Sequence, residues 1–171
     1  MKRYMWMAGL VLVLVCGMAF ATQKISDPRA QWVGAWKSTG DMGSRPDGKP
    51  LHVTSNLKCN WTPEHGAVIC EQEIHAGDQV QHQITVYTRD EKSGAYYFTS
   101  MGYGGDPAHV GGLEITGNTW TYKSLKEDAA GPEYETVNVF KSANEVDFKV
   151  MCSKNHKTWE TLGSGKTIRV R

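Results

Sequence analysis

The chain has 171 residues, with 19 basic and 18 acidic side chains, six histidines and four cysteines. That length fits one domain and is enough to bury a core without relying on cross-links. The near-neutral charge contains no basic block or stripe, which excludes the usual electrostatic footprint of a nucleic-acid partner.

The first 21 residues have the layout of a secretory signal. Lys2 and Arg3 make a basic start, Met5 to Val15 is apolar apart from Gly9, and Ala19-Phe20-Ala21 supplies small residues at a cleavage point. The apolar stretch is shorter than the roughly 20 residues a bilayer span needs. The expectation is cleavage after Ala21, no transmembrane anchor afterwards, and an exported protein, periplasmic or extracellular. Cys16 leaves with the signal. Residues 22–171 form the single remaining domain, and without Lys2 and Arg3 its 17 basic and 18 acidic residues give a net charge of −1.

From there on, hydrophobic periodicity is two almost throughout. Leu51, Val53, Leu57, Cys59 and Trp61 alternate with polar residues. So do Val80, His82, Ile84 and Val86, and later Val146, Phe148, Val150 and Cys152. Turn signals such as PEHG, HAGD, DEKSG, TGN, SANE and SKNHK separate the runs. No long window has the pattern of an amphipathic helix, residues 38–50 read as loop, and residues 123–133 are too short for a helix and end in Gly-Pro. About ten strands joined by short turns predict an all-β chain: an up-and-down antiparallel barrel, closed so that no sheet edge is left open.

Export makes an oxidised cysteine pair the expectation. In LKCNWTPEHGAVICEQE, Cys59 and Cys70 flank His65, but a zinc site would need closer ligand pairs. A four-residue loop, Pro63 to Gly66, ends in glycine, where positive φ is most often needed. It sets Trp61 opposite Val68, Leu57 opposite Gln72 and Cys59 opposite Cys70. The prediction is a Cys59–Cys70 disulfide, with His65 exposed in the turn. Cys152 is left as a buried free thiol beside Phe148 and Val150.

A family resemblance rests on specific blocks. Gly34-Ala35-Trp36 in QWVGAWKSTGDM matches the GxW signature that opens the lipocalins and other calycin barrels, and the chain ends in GSGKTIRVR. The resemblance implies that a basic residue of the last strand packs across the first-strand tryptophan: Arg169 on Trp36, with Arg171 as second candidate. LKCNWTPEHGAVICEQE, ITVYTRDEKSGAYYFTSMGYGGD, GNTWTYKS, ETVNVFKSANEVDFKV and KTWETLGSGK, in this order, resemble an exported bacterial lipocalin-like family carrying a domain-of-unknown-function label. That likeness implies a calycin-type barrel and transfers no activity. The chain lacks the lid helix of fatty-acid-binding proteins and the late helix of typical lipocalins. Its helix-poor layout is similar to the nitrobindin-type haem barrels, without their histidine motif near the C-terminus.

Candidate site residues are few. His82 is the one histidine on a predominantly apolar face, and apolar matching sets it opposite Ile74, leaving Glu73 on the other face. It reads either as a hydrogen-bonded core residue or as a polar anchor or axial haem ligand. Trp120 and Tyr122 share a face, as do Tyr97 and Met101 in the preceding strand. Facing inward, these residues line an apolar cup for a small molecule, or else simply fill a small barrel. Glu71 and Glu73 share a face and read as solvated. The glycine-rich stretch Met101–Gly112 lacks the lysine of a phosphate loop and reads as a loop at the barrel mouth. With no nucleophile elbow, HExxH or CxxC motif, no catalytic or metal site is expected. The expected partner is a small apolar or amphipathic molecule, with no cofactor. The alternatives are a barrel enzyme on a lipid-like substrate, a haem barrel, and a filled core without ligand; the oligomeric state stays open.

Overall fold

A computed structural model describes residues 27–43, 49–103, 108–124 and 132–170. The expected signal segment, Cys16, Arg171 and most of the stretch at 123–133 lie outside them. A 3₁₀ turn (Pro28–Trp32) leads into ten strands. They are β1 (Gly34–Met42), β2 (Leu51–Trp61), β3 (Ala67–Ala76), β4 (Gln79–Arg89) and β5 (Tyr96–Gly102). After them come β6 (His109–Thr116), β7 (Thr119–Ser124), β8 (Glu133–Ser142), β9 (Glu145–Ser153) and β10 (Glu160–Val170). Each strand pairs antiparallel with its neighbours in sequence, and β1 also pairs with β10, so the sheet closes into a barrel. The all-β, helix-poor barrel expected from the two-residue periodicity is the fold observed.

Turn chemistry sets the registers. The β2–β3 hairpin puts Trp61 opposite Val68 and Cys59 opposite Cys70, and the two cysteines form a disulfide with Cα atoms 4.0 Å apart. Positive φ in that loop falls on His65 (55°) rather than on Gly66. At β3–β4 the chain turns through Gly77 and Asp78 alone, with Gly77 at φ 61° and Ala76 opposite Gln79. Two-residue hairpins need such left-handed backbone, which glycine adopts without strain. Counting back from that turn puts His82 opposite Glu73, not Ile74. The expected register is therefore wrong by one residue, and it failed because it matched apolar side chains instead of following the turn.

A one-residue slip exchanges the two faces of a strand. The inner face of β4 carries Gln83, Thr85 and Tyr87, while His82 and Val80 point out, Val80 being 52 % exposed. The apolar stripe on β4 is thus its outer face. On β9 the simple rule holds: Val146 and Cys152 are buried and Phe148 faces the interior. Phe148 lies directly opposite Gly165, where a Cβ would come within 2.7 Å of the ring and 2.2 Å of the Thr39 carbonyl. Only glycine permits that approach. Strand β1 also runs on to Met42, shortening the loop expected at 38–50. Cys152 is the free, buried cysteine among the described residues.

The up-and-down order sorts the connections. The hairpins after β2, β4, β6 and β8 lie at one end of the barrel, together with the 3₁₀ turn. Strands β1, β3, β5, β7 and β9 end at the other.

Candidate functional site

The 3₁₀ turn closes the first end. Asp27 caps it, its carboxylate accepting from the Arg29 backbone N–H at 2.9 Å, and Pro28 sits at the first helical position, where its missing N–H costs nothing. Arg29 is 4 % exposed and donates to Asp27 at 2.7 Å, to the Gly66 carbonyl at 2.7 Å and to the Tyr87 carbonyl at 3.3 Å. Its guanidinium also lies 5.0 Å from the Trp61 ring centre. Burial alone would push the Asp27 carboxyl up, but hydrogen bonds from the Arg29 side chain and backbone, with the Arg29 charge, hold it below its ordinary value. Trp32 then inserts among Phe140, Trp36 and Trp120, with ring centres at 5.1, 5.4 and 6.2 Å in edge-on arrangements.

A second arginine holds the turn from the opposite side. Arg169 on β10 stacks 4.1 Å over Trp36 and donates to the carbonyls of Gln31 at 2.8 Å and Val33. Trp36 in turn donates its indole N–H to the Trp32 carbonyl at 2.7 Å. The pairing implied by the calycin resemblance is therefore present in the structure.

Above Trp32 the barrel encloses a cavity of about 410 Å³. Its upper wall reaches Met42, Ile74 and Tyr134, and Tyr134 is 48 % exposed at the rim. A belt of hydrogen-bonding side chains runs along one wall, crossing six adjacent strands from β10 through β1 to β5. Thr167 and Ser38 bond at 2.8 Å, and Ser55 lies opposite Ser38 in the next strand. The Gln72 amide donates to Ser55 at 2.9 Å. Gln83, directly opposite Gln72, donates to Ser100 at 2.5 Å and to Thr85 at 3.3 Å. Thr85 and Ser100 bond to each other at 3.1 Å. These bonds give each buried hydroxyl a partner, as burial demands. The facing wall is more aromatic and apolar, with Tyr122, Tyr134, Phe148 and Val150. Tyr87 and Tyr122 meet at 3.5 Å between their hydroxyls, deep in the cavity. Burial pushes the Tyr87 hydroxyl up to about 12 and the Tyr122 hydroxyl well above its ordinary value. Both stay protonated at neutral pH.

The residues expected at the site separate. Tyr122 lines the cavity. Trp120 is fully buried but belongs to the aromatic cluster around Trp32. Tyr97 and Met101 point outward, 37 % and 39 % exposed, because Tyr96, Phe98 and Ser100 hold the inner face of β5. His82 also points outward, its ring edge-on to Tyr103 at 6.1 Å. There it borders an open groove with Lys58, Glu71 and Glu73, in which Glu73 accepts from His75 at 2.7 Å. The His75 hydrogen bond holds the Glu73 carboxyl below its ordinary value. The belt residues Ser55, Gln72, Gln83, Thr85 and Ser100 went unrecognised in the sequence. Their signal was the disulfide: Cys59 and Cys70 face inward, so Ser55 and Gln72 must as well, and the two-residue turn at Gly77 carries the same face to Thr85 and Gln83.

No protein-family model matches the chain, and no curated protein matches it. Solved structures do. Rv2717c from M. tuberculosis superposes with a TM-score of 0.56 at 12 % identity, over 83 % of this chain and 94 % of that one. The S-type phycobiliprotein lyase CPES from Guillardia theta superposes with a TM-score of 0.58 at 12 % identity, over 83 % of this chain and 90 % of that one. The barrel is calycin-like. At such low identity the likeness concerns the fold, and the cavity described above is this chain's own. Among the described residues no helix is long and apolar enough to cross a membrane.

Proposed function

We propose that this protein is an exported carrier that holds one small amphipathic molecule, non-covalently, inside the barrel. The observation that carries this reading is the cavity of about 410 Å³, stoppered at one end and lined by both a polar belt and aromatic rings. Small-molecule sites occupy roughly 300–1,000 Å³ and combine an apolar lining with a few convergent polar groups. That a protein named as a phycobiliprotein lyase shares the fold supports a small-molecule partner. Export rests on the basic, apolar and small-residue pattern of residues 1–21, and the Cys59–Cys70 disulfide is compatible with an oxidising compartment.

The other readings draw less from the site. Haem held through histidine draws on no lining residue: none of the six histidines lines the cavity, and His109, opposite Ser100 on β6, stands exposed at its rim. An acid–base enzyme needs a group that titrates near neutrality, and among the described residues the ionisable side chains lining the wall are phenols.

The test is native mass spectrometry of the protein purified gently from its own host, compared with its denatured mass. A reproducible excess mass identifies the ligand and establishes the function. No excess mass, together with no chemical-shift change across a panel of lipids, pigments and haem, overturns it in favour of an envelope protein without a small ligand.

A further inference from the structure

Resting on the carrier reading, we infer that the ligand is a neutral ring compound bearing hydrogen-bonding groups along one edge, such as a lactam, carboxamide or diol, and is not a carboxylate. Three observations converge on this class. The first is charge: the cavity wall contains no Asp, Glu, Lys, Arg or His among the described residues. An anion brought into such a site loses its water without gaining a cation, and the penalty for burying an unpaired charge far exceeds that for a paired neutral group.

The second is polarity. The side-chain amide of Gln72 donates one of its two N–H groups to Ser55, and that of Gln83 donates to Ser100 and Thr85. Among the described residues nothing donates to either amide oxygen. The two glutamines stand directly opposite one another on β3 and β4, so two neutral amides neighbour each other on one stretch of wall. With the belt hydroxyls they can both donate and accept, which suits a neutral ligand edge that does both. A carboxylate only accepts and carries a charge that nothing on this wall neutralises among the described residues.

The third is shape. Across from the belt, Phe148 and Tyr134 offer flat surfaces, and Phe98 and Trp32 bound the cavity from β5 and from below. A ring that stacks against them can turn one edge to the glutamines. An open alkyl chain places its polar group at one end and lays methylenes along most of a belt spanning six strands.

The experiment uses the environment-sensitive dye N-phenyl-1-naphthylamine to report occupancy of the cavity. It is displaced with two coumarins of equal size, 7-methoxycoumarin-3-carboxamide and 7-methoxycoumarin-3-carboxylate, which differ in donors and charge at one edge. The expected result is displacement by the carboxamide at a concentration at least tenfold lower than by the carboxylate. In Gln83→Arg the preference narrows or inverts by tenfold or more, and Gln72→Arg serves as a second variant on the same wall. The proposal is overturned, with the carrier reading intact, if the dye binds and the carboxylate displaces it as well as the carboxamide, or if neither coumarin does. If the dye does not bind and native spectra show no excess mass, the carrier reading falls and takes this inference with it.

Discussion

The two ends of the barrel are built on opposite principles. At the stoppered end, four large aromatic rings, a disulfide and two arginines fill the space, and the polar atoms of both arginines are satisfied by carbonyls or a carboxylate. At the other end the same ten strands enclose space that side chains do not fill, walled by short hydroxyls and amides. Packing is concentrated at the end closed by the 3₁₀ turn, and the hollow lies where packing is thin. A small barrel can afford a cavity because one end is packed like the interior of a larger protein.

The sharpest way to break this contrast is a matched pair of truncations. Trp36→Ala, at a side chain 1 % exposed, should cost about 3–5 kcal/mol in urea unfolding. Tyr134→Ala, at a side chain 48 % exposed on the rim, should cost roughly 1 kcal/mol or less while altering ligand affinity. Equal costs would mean that the two ends are not mechanically different. Next in size, replacing Cys59 and Cys70 together by alanine should lower stability by about 2–4 kcal/mol in the oxidised protein, read from the denaturant midpoint. If the pair is already reduced in the protein as isolated, that difference disappears and the argument for export weakens.

The smallest expected effect is one of pH, and it should appear at one end alone. Asp27 has its carboxyl held below the ordinary 3.8 by Arg29, so its contribution is present above that pH and is lost as pH falls through the lowered value. Protection factors of the amides in the 3₁₀ turn should therefore fall on acidification below about pH 4 before the barrel unfolds, and Asp27→Asn should remove that step. Ligand affinity over the same range should stay flat, since among the described residues the cavity wall carries no carboxylate or histidine.

Much of the architecture was legible because it rests on backbone rules. Two-residue alternation predicted strands, short turn signals predicted neighbours in sequence as neighbours in space, and the spacing of Cys59 and Cys70 predicted their pairing. The site was harder to read for a physical reason. Reading faces from hydropathy assumes that apolar means inward, and a polar belt along one inner wall reverses that on β4. On β4 the reversal is complete: Gln83 and Thr85 face in, Val80 and His82 face out. On β9, which supplies the apolar wall, Phe148 and Val150 were placed correctly. On β5 both faces carry aromatic residues, and Tyr96, Phe98 and Ser100 take the inner one, which leaves Tyr97 and Met101 outside. The stopper was also missed, although Asp27-Pro28 is a helix-start signal.

The union of β1 with β10 has a consequence for how the molecule assembles. Arg169 reaches carbonyls at Gln31 and Val33, 138 and 136 positions away along the chain, and the strand carrying it completes the sheet. Until residues 160–170 have been synthesised, β1 and β9 each present an unpaired edge, the feature that recruits other chains into aggregates. Contacts this distant in sequence also slow folding, because a long loop must be ordered before they form. A nascent chain is therefore most exposed to misassembly just before its last strand appears, and whatever keeps it unfolded until then protects the finished barrel.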